Sequence, residues 1–352
     1  MYFIKILLFI ILNGTLSNIH QLYAERHDSD PYTFNIRIKD GQTVEEYVQQ
    51  MTNFWTDIRL NLAVPKPLLN IESLMTNDSS SNILSYRDRN KAIVVQGTVQ
   101  RSSVLSKRSG YPNTVGKVYF VDGSSFHSCS ASVVTSDNKD MIFTAAHCVY
   151  STTSNAFVTN FIFIPQYENN TRLFGTWTAR TLYVMQNWSL NFDINSDIAI
   201  VLLYTLNNQH IEDVVGSQTI GFNYGHSATI HSFGYPNNYF STQMMTYCTA
   251  TKYFPNFSTY TGDALSCTMN QGSSGGPWFE SFSFSTLSGI QTSVNSFTLA
   301  GTPNVMYGPY FGSSVLSMYN KAKLDTIIVF SDASHCTFSV ILLLSSAMFA
   351  RF

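Results

Sequence analysis

The chain has 352 residues, a formal net charge of −2 and only 12% charged residues. This balance provides no electrostatic basis for binding nucleic acid or an anionic membrane surface. A low charged fraction with abundant serine, threonine, asparagine and tyrosine is typical of an extracellular, turn-rich β protein rather than a cytosolic helical one.

The amino terminus has the pattern of a secretory signal peptide, which we assign to residues 1–24. Lys5 is followed by an apolar run over residues 6–12 that is too short to span a bilayer. Small residues suitable for cleavage occur at Thr15 and again at Ala24, so the cut site stays open. Downstream of this segment, four Asn-x-Ser/Thr sequons fit a glycosylated secretory product: Asn77, Asn169, Asn187 and Asn256.

Residues 25–108 differ in composition from the β-rich region after them, and we interpret them as a propeptide. A helix is predicted over residues 45–55, and Pro65 and Pro67 prevent its continuation. The dibasic pair Lys107-Arg108 stands just before the recognisable domain and would suit an exposed cleavage site. The alternative is that this pair is simply a solvated turn.

From Val115 onward the pattern is that of short β-strands. Apolar and β-branched runs alternate with turn residues, as expected for an all-β domain. The strand candidates are residues 115–121, 141–144, 161–164, 198–203, 228–234, 243–251, 277–279 and 289–292.

Two motifs in this region carry candidate chemistry. Residues 271–277, Gln-Gly-Ser-Ser-Gly-Gly-Pro, put Ser274 on a tight turn that glycine permits. Such a turn exposes the hydroxyl and leaves neighbouring backbone N–H groups free to point at one spot. Upstream, residues 144–148 read Thr-Ala-Ala-His-Cys, and His147 is a natural general base for that hydroxyl. Taken alone, a histidine in such a context is more often structural than catalytic, and the glycine-serine motif could be a flexible loop.

An acidic residue lies between these motifs. Asp197 directly precedes the apolar run 198–203, and Asp193 is its competitor four residues earlier. We favour Asp197 because the strand begins immediately after it, although an aspartate in this place is often a turn or cap residue. The joint occurrence of His147, Asp197 and Ser274 in this order predicts a catalytic triad.

With these motifs the chain resembles a trypsin/chymotrypsin-fold serine endopeptidase over residues 109–330. Within that superfamily it is most similar to the glutamyl-endopeptidase-like (V8-like) branch, on residues 110–112, residues 232–236 and the Cys248/Cys267 pair. The resemblance implies an all-β fold of two packed six-stranded antiparallel β-barrels. Their boundary would lie near Gly221, and a C-terminal helix would follow over residues 317–327.

The resemblance also implies a mechanism that needs no cofactor and acts on a polypeptide substrate. His147 would be the general base, Asp197 would orient its ring, and the N–H groups of Gly272 and Ser274 would form the oxyanion hole. Two disulfides are implied as well, Cys129–Cys148 and Cys248–Cys267. We expect the enzyme to be a monomer.

The sequence departs from the family pattern at two places. Ser273 stands where trypsin-type zymogens carry an aspartate, so that route of activation is not carried over. Glutamate specificity in the V8-like branch resembles a pocket with Thr or Ser five residues before the nucleophile and His on the following strand. Met269 and Gln291 hold those places, and Thr268 could serve weakly. We therefore predict a substrate pocket of Thr268, Met269 and Gln291 without a glutamate preference.

Cys336 is left over after the two disulfides, and no Cys-x-x-Cys or His-x-x-x-His spacing suggests zinc, so we predict no metal. Residues 331–352 form a C-terminal tail whose apolar run, residues 338–350, is too short to span a bilayer. Small residues followed by an apolar terminus resemble a GPI-anchor signal, whose removal would also discard Cys336. A secreted enzyme without an anchor is the alternative.

Two other functions use the same residues. A catalytically inactive, protease-like binding or adhesion module would keep the barrels and lose turnover. The intact set of His147, Asp197, Ser274 and Gly272 argues against it. An esterase or transferase acting through the same triad has no sequence feature of its own here.

Overall fold

The computed structural model describes residues 31–67, 69, 91–97, 110–255 and 259–326. Several predictions concern residues outside these ranges: the signal peptide, the Lys107-Arg108 site, the sequons at Asn77 and Asn256, Cys336 and the tail at 331–352. In the described part of the chain, no helix combines the length and apolar character needed to cross a membrane.

The amino-terminal segment is folded and precedes the first barrel. Its elements are β1 (Tyr32–Asn35), α1 (Val44–Phe54), α2 (Asp57–Leu62), β2 (Val64–Pro65) and β3 (Ile93–Val95). The helix predicted over residues 45–55 is present as α1. It begins with a capping box, in which Thr43 and Glu46 satisfy each other's backbone N–H groups.

The first half of the domain is a closed antiparallel barrel. Its six strands are β4 (Val115–Asp122), β5 (Ser125–Val133), β6 (Met141–Thr144), β9 (Thr159–Pro165), β10 (Trp177–Val184) and β11 (Ala199–Leu203). They pair in the order β4-β5-β6-β11-β10-β9, and β9 pairs back to β4. A short hairpin, β7 (Tyr150–Ser151) and β8 (Ala156–Phe157), follows the histidine motif.

Strand β4 is buried on both of its faces, and its sequence explains why. Val118 and Phe120 belong to the barrel core. Their neighbours Val115 and Tyr119 belong to a second cluster that also contains Phe233 of the other half. Because successive side chains of a strand point to opposite faces, a continuous apolar run suits a strand that is covered on both sides.

The second half consists of two sheets. Its elements are β12 (Thr219–Phe222), β13 (Thr229–Gly234), β14 (Thr246–Thr251), β15 (Asp263–Ser266), β16 (Pro277–Ser283), β17 (Ser288–Val294), β18 (Phe297–Leu299) and β19 (Thr302–Gly308). One sheet runs β14-β13-β16-β17-β12-β3 and the other runs β15-β19-β18. A single bridge between Tyr253 and Ala264 connects the end of β14 to β15. The described ladders thus divide the predicted second barrel into two linked sheets.

Few helices accompany the strands. In the described residues after Val115 they are α3 (Gln186–Asn191), α4 (Ile211–Val215), α5 (Ser313–Ala322), two short 3-10 turns (Ala146–Cys148 and Ile194–Ser196) and a tight turn with positive φ at Phe240–Thr242. The C-terminal helix is present, but α5 begins four residues before the predicted start and ends before residue 327. It begins directly after Gly312, and Val315, Met318 and Tyr319 pack on the first barrel and on Phe222. The all-β fold with a C-terminal helix is therefore confirmed.

Trp55 fixes the amino-terminal segment to the rest of the molecule. Its ring is fully buried beside Tyr119 and Phe126, at centroid distances of 5.7 and 5.5 Å. Its indole N–H donates to the carbonyl of Asn160 at 2.6 Å. The cluster that holds Trp55 also contains Phe279 of the second half, so the segment contributes to the packing between the two halves.

Lys117 is buried on the outer face of β4 and fixes a strained loop. Its ammonium donates to the carbonyl and the hydroxyl of Thr242, at 3.0 and 2.7 Å, and lies over the rings of Tyr119 and Tyr167. Phe240 to Thr242 all have positive φ, which is costly for non-glycine residues. Burial lowers the pKa of Lys117 to about 7.

We predict that Trp55→Ala lowers the free energy of unfolding by about 3–5 kcal/mol, because it opens a large cavity and removes a buried hydrogen bond. Chemical denaturation of the full chain measures this loss. Ile58→Ala, at a position that is 73% exposed on α2, is the matched control and should change stability by less than about 0.5 kcal/mol. Equal effects of the two substitutions would contradict the burial of Trp55.

We also predict that Lys117 makes stability depend on pH. Its folded pKa of about 7 lies below the ordinary 10.5, so between these values the unfolded chain holds a proton that the folded chain has released. The free energy of unfolding should therefore rise with pH above about 7. In Lys117→Met this rise should be smaller, which denaturation midpoints measured across the window would reveal. An unchanged pH profile would contradict the prediction.

Candidate active site

His147 and Asp197 form a buried pair in the first barrel. His147 sits on the 3-10 turn that follows β6, and Asp197 directly precedes β11, which pairs with β6. The Nδ1 atom of His147 lies 2.8 Å from Oδ2 of Asp197, and Oδ1 accepts the backbone N–H of His147 at 2.9 Å. The carboxylate therefore holds both the ring and the backbone of the histidine.

Asp193, the competing acid, has a local role. Its Oδ1 accepts the backbone N–H of Asn195 at 3.0 Å and its Oδ2 accepts the hydroxyl of Ser196 at 3.2 Å. These contacts cap the 3-10 turn Ile194–Ser196 that leads into Asp197. Asp193 thus shapes the turn, and Asp197 contacts His147.

Both predicted disulfides are present. Cys129 on β5 is bonded to Cys148, the residue after His147, and Cys248 is bonded to Cys267 in the second half. Cys129, His147 and Cys148 are the one group of potential metal ligands that the described ranges bring together. Because its two sulfur atoms are joined to each other, this group lacks the thiolates that a metal would need.

The loop that carries Ser274 lies directly against the first barrel. Gly275 has a φ of +78°, and a Cβ atom there would lie 2.0 Å from Thr144 Oγ1 and 2.8 Å from the backbone nitrogen of Ala145. The carbonyl of Ser274 accepts the N–H of Ser130 on β5 at 2.7 Å. Only glycine fits this approach, which brings Ser274 beside the segment that carries His147.

The two atoms that would exchange a proton are buried and unengaged. Within the described ranges, neither Ser274 Oγ nor His147 Nε2 has a hydrogen-bond partner. The hydroxyl and the ring nitrogen are therefore hydrogen-bonded neither to each other nor to structural groups elsewhere in this part of the chain.

The backbone around Gly272 is arranged to leave two donors free. Gly272 has a φ of +93°, and its carbonyl accepts the hydroxyl of Ser130 at 2.9 Å. Ser273 donates both its N–H and its hydroxyl to the carbonyl of Asn270, at 3.0 and 2.7 Å. Among the residues described, no acceptor takes the N–H of Gly272 or of Ser274. The uncharged Ser273 thus holds the loop through a local turn, where trypsin-type zymogens carry an aspartate.

Two neighbouring residues at this site were missed by the sequence analysis. The hydroxyl of Ser296 donates to Oδ2 of Asp197 at 2.5 Å, so the second half of the domain also fixes the acid. Asn295 precedes it, and neither residue belongs to a recognisable motif. Their position just after β17 is the one signal that could have pointed to them.

Asn295 is fully buried and uses its whole hydrogen-bonding capacity. Its Oδ1 accepts from the hydroxyl of Ser232 and from the indole of Trp278, both at 2.7 Å. Its Nδ2 donates to the carbonyls of Phe233 and Ser273, both at 3.1 Å. Asn295 therefore ties the loop that carries the candidate nucleophile to β13 and β16.

The three predicted pocket residues have different surroundings. Gln291 is fully buried, and its Oε1 accepts the hydroxyl of Ser132 at 2.6 Å. Met269 packs in an apolar cluster with Trp278. Thr268 alone is exposed, and its hydroxyl lies 2.7 Å from Oη of Tyr239. The amide of Gln291 is committed to a contact between the two halves of the domain, so only Thr268 presents a side chain to solvent.

Several solved structures are similar to the chain. The chain is similar to the protease Anisep from Arthrobacter nicotinovorans, with 37% identity and a TM-score of 0.58 over 62% of this chain and 98% of that one. It is also similar to the thermostable serine protease AL20 from an extremophilic microorganism, with 32% identity and a TM-score of 0.57 over 61% of this chain and 99% of that one. A Glu endopeptidase matches at 19% identity and a TM-score of 0.48, over 60% of this chain and 91% of that one.

No curated protein sequence is significantly similar to the chain. The family model described as Trypsin matches residues 106–309, which is more than half of the chain. With the barrel, the C-terminal helix and the two similar protease structures, this match confirms the predicted family. The chain belongs to the trypsin family of chymotrypsin-fold serine endopeptidases.

Proposed function

We propose that this protein is a secreted serine endopeptidase that cleaves peptide bonds through Ser274, His147 and Asp197 by way of an acyl-enzyme. The observation that carries the proposal is the buried His147–Asp197 pair, at 2.8 Å, against a loop whose serine hydroxyl is unengaged. Geometry of this kind fits nucleophilic catalysis by a serine.

In the proposed mechanism, Ser274 Oγ attacks the scissile carbonyl while His147 Nε2 accepts the hydroxyl proton. His147 then delivers the proton to the leaving amine, and water completes the cycle on the acyl-enzyme. Asp197 keeps the Nδ1–H tautomer and stabilises the imidazolium through its two contacts to His147. Ser296 contributes by fixing the same carboxylate oxygen.

The N–H groups of Gly272 and Ser274 would bind the oxyanion. Each such donor is worth about 3–4 kcal/mol of transition-state stabilisation, because it points at the developing charge in a buried site. The contacts of Ser130, Ser273 and Asn295 hold this loop with neutral groups. The loop can therefore stay preorganised without an ion pair of the kind that trypsin-type zymogens form on activation.

Secretion is proposed on several observations. The two disulfides fit an oxidising compartment. The sequons Asn169 and Asn187 have exposed side chains, as glycosylation requires. A signal peptide at 1–24, a propeptide at 25–108, a lipid-anchor signal at 331–352 and a monomeric state remain part of the proposal.

We predict that Ser274→Ala reduces peptide hydrolysis by at least about 10⁴-fold and abolishes labelling by a fluorophosphonate probe, because both require the nucleophilic hydroxyl. His147→Ala should have a similar effect on hydrolysis. Ser285→Ala, at an exposed serine on the β16–β17 turn, is the control and should keep full activity. Undiminished labelling of Ser274→Ala would contradict the proposal. If the unaltered chain is labelled by the probe and hydrolyses no peptide, an esterase or transferase is favoured.

We also predict that Asn295→Val lowers kcat by about 10–100-fold with little change in KM, because the carbonyl of Ser273 loses its side-chain donor and keeps only the N–H of Gly276, so the loop is held less firmly. Ser232→Ala removes a different contact to Asn295, away from the loop, and is the matched control. A comparison of kcat at similar thermal stability separates the two. An equal loss of kcat in both variants would contradict a specific role for Asn295.

A further inference from the structure

The segment Val64–Lys66 lies in contact with the candidate oxyanion loop. If Gly272 carried a Cβ atom, that atom would lie 3.2 Å from Cβ of Pro65. The proline is therefore in van der Waals reach of a residue whose N–H is a proposed oxyanion donor. This contact joins residues more than two hundred positions apart in the chain.

The backbone of the same segment pairs with the edge of β5. Val64 and Pro65 are in parallel register with His127 and Ser128, and the N–H of Lys66 donates to the carbonyl of Ser128 at 2.9 Å. On this side β6 pairs only with the far end of β5, at Ser132 and Val133. Strand β2 thus fills the part of the edge that β6 leaves open.

This edge lies on the leaving-group side of the candidate site. Ser128 adjoins Cys129, whose disulfide partner Cys148 adjoins His147. The leaving amine receives its proton from His147, so the departing half of a substrate lies near His147 and the disulfide beside it. An extended peptide in that position would meet the β5 edge that Val64–Lys66 covers.

Two contacts hold the segment in place. Lys66 forms an ion pair with Asp122 at 2.5 Å, with both side chains largely buried. Nine residues upstream of Val64, the fully buried Trp55 anchors the same stretch of chain. Such a short tether gives the segment a high effective concentration at the edge, so a free peptide competes poorly with it.

We infer that Val64–Lys66 occupies the leaving-group side of the candidate active site in its own chain. There it blocks peptide substrates that extend beyond the scissile bond. The inference rests on the proposed function. The segment runs parallel to β5, and the oxyanion donors stay free of it. Reagents that need only the nucleophile and the oxyanion donors should therefore still react.

The test compares two readouts on the full chain. A small fluorophosphonate probe reports the nucleophile, and a fluorescence-quenched peptide library with several residues after each scissile bond reports extended substrates. The triple variant Val64→Gly, Pro65→Gly, Lys66→Gly should raise kcat/KM on the library by about tenfold and leave the labelling rate within about twofold, because about 1.4 kcal/mol of competition is removed.

A single substitution tests the inference in case the triple variant does not fold. Lys66→Ala removes the ion pair with Asp122 and the contact of the ammonium with the Phe120 ring, keeps the backbone pairing, and should raise library cleavage by about threefold at unchanged labelling. Lys139→Ala breaks an exposed ion pair with Asp213 elsewhere on the surface and should change neither readout.

The outcomes separate this inference from the function on which it rests. If the probe labels the protein but both segment variants cleave the library no faster than the unaltered chain, the inference is overturned and the proposed function stands. Equal changes in the two readouts would also overturn it, because they would indicate a general effect on the site. Absence of labelling in the unaltered chain would overturn the proposed function and the inference with it.

Discussion

The structure depends on how closely the Ser274 loop approaches the first barrel. At Gly275 the two backbones leave no room for a side chain, since a Cβ atom would lie 2.4 Å from the carbonyl oxygen of Ser130. Both halves of the domain therefore meet through main-chain atoms at the point where the proposed chemistry occurs. The approach requires backbone with positive φ at Gly272 and Gly275, and buried hydrogen bonds around these residues stabilise it. Small displacements of either half would move Ser274 relative to the segment that carries His147.

Neutral hydrogen bonds maintain this approach. Ser130, Asn295 and Ser296 connect the loop and the acid to neighbouring strands, and each of these side chains is buried with its partners. A fully satisfied neutral network of this kind is rigid and carries no charge to desolvate. The acid in this network is Asp197, to which Ser296 donates. Ser273 is also held by a neutral hydrogen bond, because its hydroxyl donates to the carbonyl of Asn270 in the same turn.

The family and the fold could be predicted because their signals lie in short contiguous motifs. The patterns around His147, Asp197 and Ser274 carry their own turn and strand signals, and the family and the all-β fold followed from them. Asn295, Ser296 and Pro65 could not be recognised, because their contacts join distant parts of the chain and their local sequence is ordinary. Gln291 was predicted to line the substrate pocket from its place on the strand after the nucleophile. In the structure its amide oxygen accepts the hydroxyl of Ser132, a contact that the sequence does not reveal. The second half was also expected to be one barrel, and its ladders form two sheets.

The burial of Trp55 has a consequence for any processed form of this protein. Residues 31–67 contribute a strand to the first barrel and a tryptophan to the packing between halves, and β3 adds a strand to the second half. A single cut after Arg108 would therefore produce two polypeptides that stay associated as subunits. Their separation would follow mass action, so that dilution, rather than the cut itself, would determine when the amino-terminal subunit leaves.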